Sequence, residues 1–414
     1  MKTLTPFASL ALLVACLAPH ASADQVEALE GTFKETVVSI EKGSEGLVVK
    51  TSARVIPLDT VKAIRFRRAS NKAGTSRLVL SNGDSVRGLV EVGDEDNVGF
   101  KSVSLGSRKI SLELVRALIP AGRTAIEERG LLAQLKKSDE VDWVLLDNGG
   151  KSSGSISSID AGKVTIDTDT QDGDGMGQLS FDVSKVRMIS IAPLGDDEEE
   201  AASSGMIGVA RLHDGSQLRG EIVSLDDKNL TILHPLAGGK GLAIARKQVS
   251  EISLQGGRFA YLSDLQPAGV EQRFPAEFTY EVDVWGFKRD RSVAGGPLSL
   301  GGKTYAKGLG VHSYCKLTYR VGKSYSKFKA TIGLDDSVKY LGEPGFGGVV
   351  FRILVDGKPA SEYPNGIAIK KGRPAQTIEV KLEGKSTLTL IADFDAVSLH
   401  VLGRANWADA HLIR

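Results

Sequence analysis

A glycine pattern with a 66-residue period runs through the first half of the chain, at Gly83, Gly149 and Gly215. Each stands in a turn pair, Asn82-Gly83, Asn148-Gly149 or Asp214-Gly215, and each is followed five residues later by Gly88, Gly154 or Gly220. Asn-Gly and Asp-Gly favour the positive φ angles that close two-residue hairpins. Alternating apolar stretches follow, as in Gly220-Glu221-Ile222-Val223-Ser224-Leu225, and period-two alternation gives a strand one buried face. The second glycine points to a bulge or sharp bend, which curls a short sheet toward closure. Gly31, Thr36, Ile40, Val61 and Ile64 trace a weaker first copy. The expected fold class is all-β: tandem small barrel-like repeats, loosely similar to SH3 or Sm barrels, then a C-terminal antiparallel sandwich. A four-bladed propeller is the competing architecture for the repeats.

The expected organisation is a signal segment over 1–23 and two repeats over 24–120. A helical connector follows over 121–140, then a third repeat over 141–195, an acidic linker over 196–205 and a fourth repeat over 206–256. The last domain covers 257–414. Thr124 with Glu127 reads as a capping pair for a helix reaching Lys137, with Ile126, Leu131, Leu132 and Leu135 as its apolar contacts. Asp196-Asp197-Glu198-Glu199-Glu200 reads as a solvated linker.

Lys2, the apolar run Leu10–Leu17, Pro19 and the small residues Ala21-Ser22-Ala23 have the order of an export signal. Leu13-Val14-Ala15-Cys16 also fits a lipobox, which would anchor the chain through Cys16. The expected location is therefore secreted or periplasmic, or lipid-anchored if Cys16 is modified. No later segment is long and apolar enough to span a bilayer. The chain carries 52 basic and 51 acidic residues, so it has no electrostatic pull toward nucleic acid or an anionic membrane. Beyond Cys16 only Cys315 remains, beside Tyr314 in an apolar run, which suits a buried small residue.

From Tyr261 the texture changes. Short alternating runs recur, including Leu317–Val321, Phe328–Ile332, Val349–Val355, Ile378–Leu382 and Leu388–Ile391, with turns at Asp356-Gly357 and Glu383-Gly384. Several segments occur in a fixed order: Tyr261-Leu262-Ser263-Asp264-Leu265, Tyr305-Ala306-Lys307-Gly308-Leu309-Gly310-Val311-His312-Ser313, Ile332-Gly333-Leu334-Asp335-Asp336, Gly348-Val349-Val350-Phe351 with Val355-Asp356-Gly357, and Trp407-Ala408-Asp409. This series resembles the NPCBM/NEW2 domain, the carbohydrate-binding module attached to family 98 glycoside hydrolases. The resemblance implies a galactose-binding-like jelly roll and a glycan ligand, with galactose-containing glycans among the candidates. Gly403-Arg404-Ala405-Asn406 stand where the family commonly has Asp-His and then Ala-Asp.

A sugar needs an aromatic face for its apolar side and polar groups for its hydroxyls. The candidate carbohydrate-binding residues are Trp285, His312, Asp335, Asp336, Arg404, Asn406 and Trp407, with Trp285, the acidic pair and Arg404 with Asn406 expected to form one shallow site. Each has a plainer reading: packing for Trp285 and Trp407, a structural hydrogen bond for His312, turn capping for the acidic pair, solvation for Arg404 and Asn406. Asp335-Asp336 could also hold a structural calcium; no other cofactor is expected. Asp167, Asp169, Asp172 and Asp174 miss the EF-hand spacing, since Gln178 stands at the twelfth position.

No catalytic residue is expected. The six histidines lack metal-binding spacing, and no nucleophile elbow or P-loop occurs. The reading is an exported, non-enzymatic glycan-binding protein whose repeats act as spacer or docking units. The alternatives are a cell-envelope assembly protein whose sandwich binds protein, and an accessory subunit of a glycoside hydrolase. Partners are then a glycan, and envelope or secreted proteins, with no nucleic acid.

Overall fold

The computed structural model describes residues 23–66, 75–94, 96–135, 139–169, 176–193, 206–273, 285–342, 346–396 and 400–414. The signal segment with Cys16, the acidic linker, Asp172 and Asp174 lie outside them, as do the side chain of Asp169 and residues 136–138 of the expected helix. Two compact units divide between Leu254 and Gln255. No helix among the described residues is long and apolar enough to cross a membrane.

The first unit contains four copies of one strand pattern. The first copy holds β1 (Gln25–Ala28), β2 (Gly31–Lys34), β3 (Val37–Gly43), β4 (Gly46–Thr51), β5 (Val55–Pro57) and β6 (Val61–Arg65). The second holds β7 (Ser76–Leu80), β8 (Ser85–Glu91), β9 (Asn97–Ser102), β10 (Gly106–Ser111) and β11 (Val115–Ile119). The third holds β12 (Asp142–Leu146), β13 (Lys151–Ile159), β14 (Lys163–Asp169), β15 (Met176–Asp182) and β16 (Val186–Ser190). The fourth holds β17 (Ile207–Leu212), β18 (Gln217–Leu225), β19 (Asn229–Leu233), β20 (Gly241–Ala245) and β21 (Val249–Gln255).

In every copy a one-turn 3-10 segment precedes the last strand, which returns to pair with the first: β6 with β1, β11 with β7, β16 with β12 and β21 with β17. That return makes each copy a small barrel and distinguishes it from a propeller blade. Last strands also pair between copies, with Ile64 opposite Ile252 and Leu118 opposite Ile189.

The glycine pattern has two separate causes. Gly83, Gly149 and Gly215 sit at hairpin tips with φ of 84°, 85° and 91°, where other residues are strained. Gly88, Gly154 and Gly220 lie inside strands with no unusual φ. A Cβ there would come within 2.3 Å of the Lys101 oxygen, 2.2 Å of the Asp167 oxygen and 2.2 Å of the Leu233 oxygen. In the second, third and fourth copies the second strand passes so close to the third that a side chain at that point would meet its backbone.

Helix α1 (Ala125–Leu132) carries the expected capping box between Thr124 and Glu127. It ends before Lys137, and its inward face differs from expectation. Ile126 is 74% exposed, whereas Glu128 and Leu131 are buried and Leu132 and Leu135 half-buried. Positions 128, 131, 132 and 135 share a helical face, and 126 falls off it. Glu128 receives two bonds from Arg87, at 2.6 and 2.5 Å, and one from Arg77 at 3.4 Å.

The second unit is a β-sandwich of β22 (Phe259–Tyr261), β23 (Gly269–Gln272), β24 (Lys288–Arg289), β25 (Leu298–Leu300), β26 (Lys303–Tyr305), β27 (Gly308–His312) and β28 (Cys315–Arg320), continued by β29 (Lys327–Leu334), β30 (Gly348–Val355), β31 (Lys358–Pro359), β32 (Ile367–Lys370), β33 (Gln376–Lys381), β34 (Thr387–Phe394) and β35 (Arg404–Ile413). One sheet runs β24-β27-β35-β29-β33 with β22 beside β35. The other runs β23-β28-β34-β30-β31 with β32 beside β30. Trp407 fills the core between them, edge-on to Phe351 at 5.0 Å between ring centroids. Cys315 is buried in the same core, and burial pushes its thiol up to about 12, which leaves it inert.

Candidate functional site

The strand registers decide which connections gather. His312 pairs with Arg404, and Leu334 with Ala405, so β27 and β29 end where β35 begins. On the other sheet, Gln272 pairs with Cys315, Cys315 with Ala392, Val349 with Phe394 and Gly348 with Lys370. The strand ends flanking the connections β23–β24, β27–β28, β29–β30, β32–β33 and β34–β35 therefore gather at one end of the sandwich.

Trp285, His312 and Arg404 come together there. His312 and Arg404 are direct cross-strand partners, and Trp285 lies against both. The Arg404 guanidinium carbon is 4.7 Å from the indole centroid, and the His312 ring is 5.2 Å away at 43°. The Gln272 side chain holds this segment from both sides, donating to the Trp285 carbonyl at 3.4 Å and accepting from the Phe287 amide at 3.4 Å. His312 Nδ1 is 2.8 Å from the Ser313 carbonyl, so in the neutral ring Nδ1 carries the proton and Nε2 is the acceptor. A Cβ on Gly403 would stand 1.9 Å from the Ser313 hydroxyl, so a side chain there would force Ser313 to shift. On the neighbouring sheet, Arg273 stacks on Tyr314 at 4.9 Å, and Tyr314 meets Phe394 at 6.2 Å. The Tyr314 hydroxyl is raised above the usual phenol range, first by burial and then by the Glu271 charge.

Asp335, Asp336 and Asn406 form a different cluster. Asn406 Nδ2 donates to Asp335 at 2.6 Å, and Asp335 also accepts from the Ser299 amide at 3.3 Å and the Ser337 amide at 3.0 Å. Asp336 accepts from the Ser299 hydroxyl at 2.6 Å and from the Gly301 and Gly302 amides at 2.9 and 2.8 Å. These bonds fasten the β25–β26 hairpin over the outer face of the sheet. Gly333 lets it close down, since a Cβ there would lie 2.9 Å from Leu300. Burial pulls the Asp336 carboxyl upward, but the Ser299 hydroxyl and the two amides outweigh it, leaving the group below the usual carboxylate range.

The single shallow site expected from sequence is thus resolved into separate parts. Asn406 is fully covered by the hairpin and so is turned away from any hydroxyl-bearing ligand. The acidic pair directs its oxygens at N–H and O–H donors, and no cluster of three metal-ligating side chains occurs among the described residues. Trp407 is 1% exposed and belongs to the core.

Sequence reasoning overlooked Tyr340, on the β29–β30 connection at the same end, which is 87% exposed. Its local signal was an aromatic residue between Lys339 and Gly342 in a turn-rich stretch.

Residues 259–413 match the NPCBM/NEW2 domain family. The chain is 40% identical over 121 residues to the "Putative endo-alpha-N-acetylgalactosaminidase" of Renibacterium salmoninarum, a match that covers 29% of this chain and 7% of that protein. Similar solved structures include the CBM51 module of a Clostridium perfringens GH95 protein in complex with methyl-galactose, 19% identical, with a TM-score of 0.31 over 37% of this chain and 99% of that one. They also include the tandem CBM51 modules of a family 98 glycoside hydrolase from Streptococcus pneumoniae, 12% identical, with a TM-score of 0.31 over 81% of this chain and 87% of that one.

Proposed function

We propose that the C-terminal unit binds a glycan, without chemical turnover, at the sandwich end where Trp285, His312 and Arg404 converge. The observation that carries this reading is the convergence itself: an indole held by a guanidinium and an imidazole, on connections that a rigid sandwich positions. The indole offers a face for the apolar side of a pyranose, and the two polar rings offer partners for its hydroxyls. The match of residues 259–413 to a carbohydrate-binding family supports the same reading. The four small barrels then serve as spacer or docking units. The order of Lys2, the apolar run, Pro19 and Ala21-Ser22-Ala23 supports export of the whole chain.

A glycan array probed with the full chain tests this. Binding to a defined set of glycans, weakened at least tenfold in Arg404→Ala, is the expected result. No binding to any glycan, or full retention in that variant, removes the assignment.

A further inference from the structure

Among the described residues of the sandwich, the exposed large apolar side chains are Val270, Tyr340, Leu341, Phe346 and Val401. All but Val270 lie on the β29–β30 and β34–β35 connections, beside the proposed glycan site. Such a concentration at one end marks a contact surface, since scattered exposure would need no explanation.

The surface is built and held. Lys371 Nζ donates to the Leu341 carbonyl at 2.6 Å and to the Gly342 carbonyl at 3.1 Å, and its amide donates to the Gly347 carbonyl at 2.8 Å. These bonds fix the β32–β33 turn against the segment that carries Tyr340. Leu402 packs on the other side, where a Cβ on Gly342 would come within 2.9 Å of it. Leu402 precedes Arg404 by two residues, so the surface continues into the Trp285 cluster.

The exposed charged side chains among its described residues are cations. Lys339 on the β29–β30 connection, Lys370 at the end of β32 and Arg373 in the β32–β33 turn are exposed, Lys371 adds a fourth cation, and the Lys339 amine lies 5.2 Å from the Tyr340 ring. The described acids on the β29–β30, β32–β33 and β34–β35 connections are Asp335 and Asp336, whose oxygens are directed at the hairpin's donors, and Asp395, which is 6% exposed and packs against Gly348. Glu343 lies outside the described residues.

We propose that the Tyr340 surface, with Lys339, Lys370, Lys371 and Arg373, binds the anionic substituent of an acidic glycan, a carboxylate or a sulfate, on a sugar adjacent to the one at Trp285. This rests on the glycan-binding reading and extends it to the ligand's charge. Tyr340 supplies a second stacking face, and the cations supply charge-assisted hydrogen bonds. Exposed cations act on such a group at short range and lose their hold as salt screens them.

The test is an array of matched oligosaccharides, each in neutral, sialylated and sulfated form, probed with the full chain. Anionic phosphatidylglycerol vesicles serve as a separate arm. The expected result is at least tenfold tighter binding of an acidic form than of its neutral parent, falling below threefold in 1 M salt. The preference also falls to near unity in the Lys339→Ala/Lys370→Ala/Arg373→Ala protein. Thermal melts verify that this variant is folded, and Tyr340→Ala, which keeps all the cations, weakens binding of the acidic form. Sialylated against sulfated arms identify the substituent. Equal binding of neutral and acidic forms, or a preference that survives the triple substitution, overturns the proposal and leaves glycan binding intact. Binding of vesicles alone, or of nothing, overturns both.

Discussion

Replacing Trp285 by alanine separates binding from folding. The half-buried indole contacts Arg404 at 4.7 Å and His312 at 5.2 Å, and it lies outside the hydrophobic core. Its removal forfeits a cation–π contact of about 0.5–1 kcal/mol and part of its apolar burial, so the expected stability loss is about 1–2 kcal/mol. Trp407→Ala is the contrast. That side chain is 1% exposed and packs on Phe351 and Phe328, so truncation costs about 3–5 kcal/mol. In a unit of this size these losses correspond to melting shifts of about 2–8 °C and at least about 6 °C, respectively. Binding should rank the other way. A central stacking platform contributes about 2 kcal/mol, or about thirtyfold in affinity. Calorimetric melts of the full chain, with titration of a glycan identified on the array, measure both quantities. If Trp285→Ala binds within threefold of the parent protein, or loses as much stability as Trp407→Ala, the reasoning fails.

The purified chain should release no reducing sugar from a broad polysaccharide panel; turnover abolished by one Asp or Glu substitution would reveal an active site. Glu128→Ala should destabilise the first unit by about 2–4 kcal/mol, measured by urea unfolding, because Arg87 and Arg77 lose a shared carboxylate but still reach some water. Gly220→Ala should cost about 1–3 kcal/mol, since its Cβ meets the Leu233 oxygen, whereas Gly130→Ala, open on all sides in α1, should stabilise by about 0.5–1 kcal/mol. The Asp336 carboxyl is depressed in the folded state. Its stabilising effect is therefore present above the unfolded value of about 3.9 and is lost as pH falls through the lower folded value. Thermal melts between pH 5 and 2 should show a steeper loss for the parent protein than for Asp336→Asn.

The amino-acid sequence alone determined the features that depend on neighbours along the chain. Turn chemistry at Asn82-Gly83, Asn148-Gly149 and Asp214-Gly215 placed three hairpins, because the positive φ is a local requirement. Thr124 and Glu127 marked the helix start for the same reason, since a capping box spans only one turn. Alternation along β28, β29 and β30 was readable as sandwich strands because each has one face more buried than the other, whereas β34 is buried on both faces. Pairings between distant segments were decided by tertiary structure. Asn406 and Arg404 lie two residues apart on the same face of β35, and sequence treats them alike. The β25–β26 hairpin, about a hundred residues earlier, covers Asn406 and spends the Asp335-Asp336 pair on its own amides, while Arg404 meets Trp285. Ile126 is exposed, against expectation, and Glu128 is buried on the inward face, because Arg87 and Arg77, on β8 and β7, offer a partner for a buried carboxylate. Burial of a polar group is settled by which donors the fold brings to it, and those donors come from strands whose register no local pattern encodes.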